Sequence, residues 1–174
     1  MQLIVNICLL LLLAVIVLQD MKERRISWVL LPLLLGSFLA QGLFLIPVGE
    51  LLRYTIFNIS FILLQLLVLT AYMSIKNKKL VNIINSHLGI GDVLFFITAT
   101  AAFSPVNFIV FYIIGLLLTL IFFTAFSRFV KNVSKEIPLA GAMAAVMIVL
   151  LLVNQWMPKF NFYNDDYLTG WFIH

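Results

Sequence analysis

Six stretches of this chain are long, apolar and almost free of charge, and short polar connections separate them. That pattern limits the fold more than any motif does. They run over residues 3–18, 28–47, 54–73, 89–103, 107–126 and 137–153. Uncharged runs of about twenty residues mark membrane-spanning helices, because a backbone in hydrocarbon must satisfy its own hydrogen bonds. With 64% hydrophobic and only 10% charged residues, the 174-residue chain carries more apolar surface than a soluble domain of that length can bury. The expectation is an all-α integral membrane protein of six transmembrane helices forming one domain, residues 1–174. The first run, "MQLIVNICLLLLLAVIVLQD", has no basic residue ahead of it and no small-residue cleavage site, so it reads as a first span and not a cleaved signal peptide.

The net charge of +4 reflects topology and headgroup contact; it does not indicate nucleic-acid binding. Lys22, Arg24, Arg25, Lys76, Lys78, Lys79, Arg128, Lys131 and Lys135 occupy the first, third and fifth connections, nine of the eleven basic residues. Arg53 and Lys159 share the other side with Glu50, Asp165 and Asp166. Short basic loops stay in the cytoplasm, which puts the N-terminus and C-terminus both outside.

The segment "HLGIGDVLFF" places Asp92 behind two glycines and ahead of an apolar run. A carboxylate there is costly and needs a partner. Topology supplies Asp20, at the end of the first run: two intervening spans return the chain to the same face, so both acids belong at the cytoplasmic ends of their helices. Carboxylates brought within reach share a proton and titrate as a pair, the chemistry of aspartic peptidases. Read singly, each has a plainer role. Asp20 would be a juxtamembrane charge, and Asp92 the N-cap or first-turn acid of the fourth helix.

These residues resemble a known set. "DMKERRI" (20–26), "GIGD" (89–92) and "EIPLAG" (136–141) are similar, in order and sidedness, to motifs of the type IV prepilin peptidases and preflagellin peptidases, the GxGD intramembrane aspartic peptidases. The resemblance implies an aspartic-type endopeptidase that removes the short basic leader of pilin-like or pseudopilin-like precursors at the cytoplasmic face of a prokaryotic inner membrane. On that pattern Asp20 and Asp92 are catalytic, Gly89 and Gly91 shape the loop beside Asp92, and Ile137, Pro138 and Gly141 line the site. No metal or cofactor is required. Partners would be the precursor and membrane lipid; the oligomeric state is left open. The chain departs from the pattern at Ser27 and Trp28, where many bacterial members have Pro-Asn, and at Leu94, where many have lysine. It has no segment with paired cysteines, only Cys8, so methyltransferase activity is not expected. Two alternatives stand beside this reading. One is a small transporter or channel with an acidic ion or proton site, and the other a catalytically inactive assembly subunit.

Several other residues read as structural. Asn58 and Gln65, seven apart on one face of the third helix, suit hydrogen bonds to neighbouring helices. Gly141 and Ala145 form a small-residue pair for close helix contact, and Cys8 reads as a packing residue. Glu50 and Arg53 are spaced as an i,i+3 ion pair. Asp165 and Asp166 read as a solvated turn in an outward tail. There, Trp156, Phe160, Phe162, Tyr163 and Trp171 suit an interfacial aromatic belt.

Overall fold

The computed structural model describes residues 1–79, 89–129, 138–156 and 161–165. Among these residues there are six α-helices and no strand: α1 Gln2–Glu23, α2 Leu30–Leu43, α3 Val48–Asn77, α4 Ile90–Ala99, α5 Pro105–Phe129 and α6 Leu139–Trp156. A 3-10 turn, Thr100–Ala102, extends α4. Four helices (α1, α3, α5 and α6) are long and apolar enough to cross a membrane. α2 and the α4 unit are shorter apolar helices. Together they suit a multi-pass membrane protein.

The element boundaries follow backbone chemistry where hydropathy alone misplaces them. α1 continues past its apolar run to Glu23, because Gln19, Met21, Lys22 and Glu23 are good helix formers. It stops where Arg24 turns left-handed at φ 53° and donates its N–H to the Asp20 carbonyl, 3.2 Å away. Asp20 therefore sits in the last turn of a helix and not beyond its end. α3 begins at Pro47, whose extended backbone suits a cap, and runs 30 residues, about 45 Å at 1.5 Å per residue. Pro105 opens α5 at the position where a missing N–H costs nothing.

Many large side chains face outward, among them Leu64, Leu67, Ile121 and Phe122 at more than half exposure. In water such a surface would aggregate; in lipid it is the expected exterior. Lipid tails are as apolar as leucine, so tight packing and polar contacts hold the helices together instead. α1 packs most extensively on α6; Leu9, Leu13 and Ile16 of α1 are buried, as are Ala140, Ala144 and Met147 of α6, while the Met143 side chain lies against Gly115 of α5. Phe61, Phe96, Phe108 and Tyr112 meet edge-on or tilted between α3, α4 and α5.

One end of the bundle is tied by polar groups. Asn58 of α3 is fully buried and donates to the carbonyls of Thr100 (3.0 Å) and Phe103 (2.9 Å), as expected for a helix-joining amide. Gln41 donates to Asn6 at 3.0 Å, joining the end of α2 to the start of α1. The tail segment 161–165 docks here as well, contrary to the expectation of a solvated turn. Asp165 accepts from the Ser104 hydroxyl and from the Asn107 N–H, and so caps α5. Phe162 and Tyr163 are buried and do not join an interfacial belt; the Tyr163 hydroxyl donates to the Ala101 carbonyl at 3.0 Å. Burial pushes the Tyr163 phenol up, so it remains a neutral donor. Asp166, Phe160 and Trp171 lie outside the described residues.

Two smaller expectations are corrected. Cys8 is exposed, its sulfur 3.9 Å from the Ser37 hydroxyl, because it falls on the outer edge of the α1–α2 seam. Arg53 lies over the Tyr54 ring, 5.8 Å from its centroid, and makes no ion pair with Glu50.

Candidate active site

At the other end of the bundle, α6 begins with Pro138, whose carbonyl accepts the Ala142 N–H at 3.1 Å and so occupies the N-cap position. A helix start leaves its first amides without intrahelical partners, and an N-cap side chain normally takes one of them. Proline has no side-chain acceptor to offer. The amides of Ala140 and Gly141 therefore need acceptors from elsewhere.

Two other helices supply them. Asp92 Oδ1 accepts the Ala140 N–H at 2.9 Å, and Asp20 Oδ2 accepts the Gly141 N–H at 2.6 Å. Residues 72 positions apart thus meet on consecutive amides, and their carboxyl groups are close enough to interact electrostatically. The positive end of the α6 dipole favours both anions.

Each aspartate is positioned by its own local fold. Asp20 is buried, at 6% exposure, and its Oδ1 takes no hydrogen bond from the described residues. Asp92 is half-buried in the first turn of α4, and its Oδ2 accepts the Gly89 N–H at 3.3 Å. This is the reach-back half of a capping box, so the plainer expectation for Asp92 also holds. One carboxylate thus closes the start of its own helix and the start of α6 together.

The glycines divide in their roles. A Cβ on Gly141 would lie 2.9 Å from both Asp20 Cβ and Asp20 Oδ2, closer than side chains tolerate, so only glycine allows this approach. Gly91 sits under Ile26, which a Cβ would meet at an ordinary 3.5 Å. Gly89, extended at the N-cap, would bring a Cβ to 3.1 Å from Asp92 Oδ2. Ile26 reaches Gly91 because the segment after α1 folds back: the Ser27 N–H donates to Gln19 Oε1 at 3.0 Å. The "DMKERRI", "GIGD" and "PLAG" stretches are therefore in mutual contact.

Of the residues expected to line the site, Gly141 and Pro138 stand at this helix start, while Ile137 lies outside the described residues. Sequence reading missed the Ala140 amide, although a proline at a helix start signals that an external acceptor is needed. It also missed Arg24, whose guanidinium interacts electrostatically with Asp20 and whose buried Nη1 has no partner among the described residues. No cluster of three metal-ligating side chains occurs among the described residues.

Compared with protein-family models, curated proteins and solved structures, the chain matches none.

Proposed function

We propose that this protein is an intramembrane aspartic endopeptidase of the prepilin peptidase type, with Asp20 and Asp92 as the catalytic pair. The observation that carries the reading is the meeting of the two carboxylates on the consecutive amides of Ala140 and Gly141. It joins the ends of three helices that bear the three resemblance motifs. In the proposed topology α1 to α6 all span the membrane, both termini lie outside, and the basic connections face the cytoplasm of a prokaryotic cell.

The chemistry follows from a shared proton. The ionised carboxylate takes a proton from a water as the water's oxygen attacks the scissile carbonyl, and the protonated one hydrogen-bonds the developing oxyanion. Collapse breaks the C–N bond, and a proton passes to the leaving amine. The Ala140 and Gly141 amides hold the two side chains in place through the cycle. Asp20 Oδ1, free of described partners, is the atom available to the water. The substrate class is a pilin-like or pseudopilin-like precursor, cut between its basic leader and its hydrophobic segment.

The test is cleavage of a panel of such precursors co-expressed in membranes with wild type, Asp20→Asn and Asp92→Asn. Asparagine keeps an oxygen that can accept the amide hydrogen bond, but it cannot act as acid or base. Loss of cleavage with retained folding is the expected result.

A further inference from the structure

The hydroxyls on the outer side of α3 are satisfied within their own helix. Ser60 donates to the Ile56 carbonyl at 2.8 Å and Thr70 to the Leu66 carbonyl at 2.6 Å. Gln65 lies between them and is different: its carboxamide makes no hydrogen bond with any described residue. It stands twelve residues before Asn77, about 18 Å along the helix and hence deep in the span. An amide left unpaired in hydrocarbon is costly, and the usual remedy is a neighbouring helix.

Gln65 opens into a groove of about 490 Å³. Leu69 and Tyr72 line it from α3, Val93 and Phe96 from α4, and Tyr112 from α5. Val93 follows Asp92 in the chain. The groove therefore runs from the middle of α3 to the first turn of α4, the turn that carries Asp92. An acyl chain would fill the apolar walls but has nothing to offer an amide at that depth. A transmembrane helix bearing a serine, threonine or asparagine, or a small residue that exposes a carbonyl, offers both.

We propose that this groove seats the hydrophobic segment of the precursor, as a helix packed along α3 and α4 with a small or polar residue at Gln65. The proposal rests on the peptidase reading. It accounts for how a leader junction would be brought near Asp92: the groove reaches Val93, in the same first turn of α4 as the carboxylate.

The experiment uses the full chain in membranes with a precursor that wild type cleaves. A photo-crosslinking p-benzoyl-phenylalanine replaces Leu69 in the groove or Leu63 outside it, in an Asp92→Asn background that keeps the substrate intact. The expected result is an adduct with the precursor's hydrophobic segment from position 69 and none from position 63. Gln65→Leu should weaken that adduct and raise KM by about three- to tenfold, the range of a hydrogen bond between membrane helices, with kcat unchanged. Equal adducts from both positions, or adducts from position 69 with lipid or a second copy of the chain alone, would overturn the groove assignment while wild-type cleavage leaves the peptidase reading standing. If wild type cleaves no precursor, the peptidase reading falls and the precursor is removed as occupant.

Discussion

Asp92 and Asp20, on different helices and 72 residues apart, accept hydrogen bonds from neighbouring amides, those of Ala140 and Gly141, at the first turn of α6. One arrangement thus does two jobs. It closes a helix start that proline leaves open, and it brings two acids together where the helix dipole favours them.

The two jobs separate by substitution. Asp20→Ala removes the acceptor and leaves the Gly141 N–H unpaired in a buried site, an expected cost of about 1–3 kcal/mol. Asp20→Asn should recover most of that stability in thermal unfolding in detergent, yet recover no cleavage. Equal stability of the two variants would show that the Gly141 bond contributes nothing.

Glycines 141 and 91 should respond very differently to alanine. At Gly141 the added methyl meets Asp20 at 2.9 Å, so the α1–α6 seam must open or the carboxylate must move. Overpacking of this kind costs about 1–3 kcal/mol, and cleavage should fall at least tenfold because the displaced group is the proposed catalytic carboxyl. Gly91→Ala meets Ile26 at an ordinary contact distance and should cleave within about threefold of wild type. Cleavage assays paired with melting curves check both.

Asp165 provides a control at the opposite end. It caps α5 through the Asn107 N–H, and Asp165→Ala should cost about 1 kcal/mol of stability, as for other lost caps. The folded fraction should still cleave at the wild-type rate. A loss of rate at unchanged stability would connect that end to the chemistry.

Cleavage should follow a bell-shaped pH profile, since in the proposed mechanism the working form of the pair holds one proton. At low pH both carboxyl groups are protonated and no base remains; at high pH both are ionised and no acid remains. In each single Asn variant the residual activity, where measurable, should lose one limb of the bell. A profile flat across the acid and neutral range would mean that carboxylates do not limit the reaction.

Much of the frame was legible in the sequence because hydrocarbon allows few choices. Apolar runs had to be helices, and their number and direction put Asp20 and Asp92 at the same end. What stayed hidden was contact between segments. Nothing in the order of residues says that Asp165 folds back to cap α5, or that Phe162 and Tyr163 bury themselves; both depend on the tail meeting the open end of another helix. Asn58 and Gln65 look alike on a helical wheel, yet the Asn58 amide donates to two carbonyls at the end of the α4 unit and the Gln65 amide to none among the described residues. The helix limits were misplaced for a related reason. Charge ends a hydrophobic run, but only backbone chemistry, as at Arg24 and Pro47, ends or starts a helix.

The most direct measurement of the central claim is precursor cleavage in membranes by wild type, Asp20→Asn and Asp92→Asn, with folding checked for each. The expected result is a cleaved precursor with wild type and a fall of about 10²- to 10⁴-fold in each folded variant, the scale of a lost acid or base. A folded Asp20→Asn or Asp92→Asn protein that cleaves at the wild-type rate would contradict the catalytic pair.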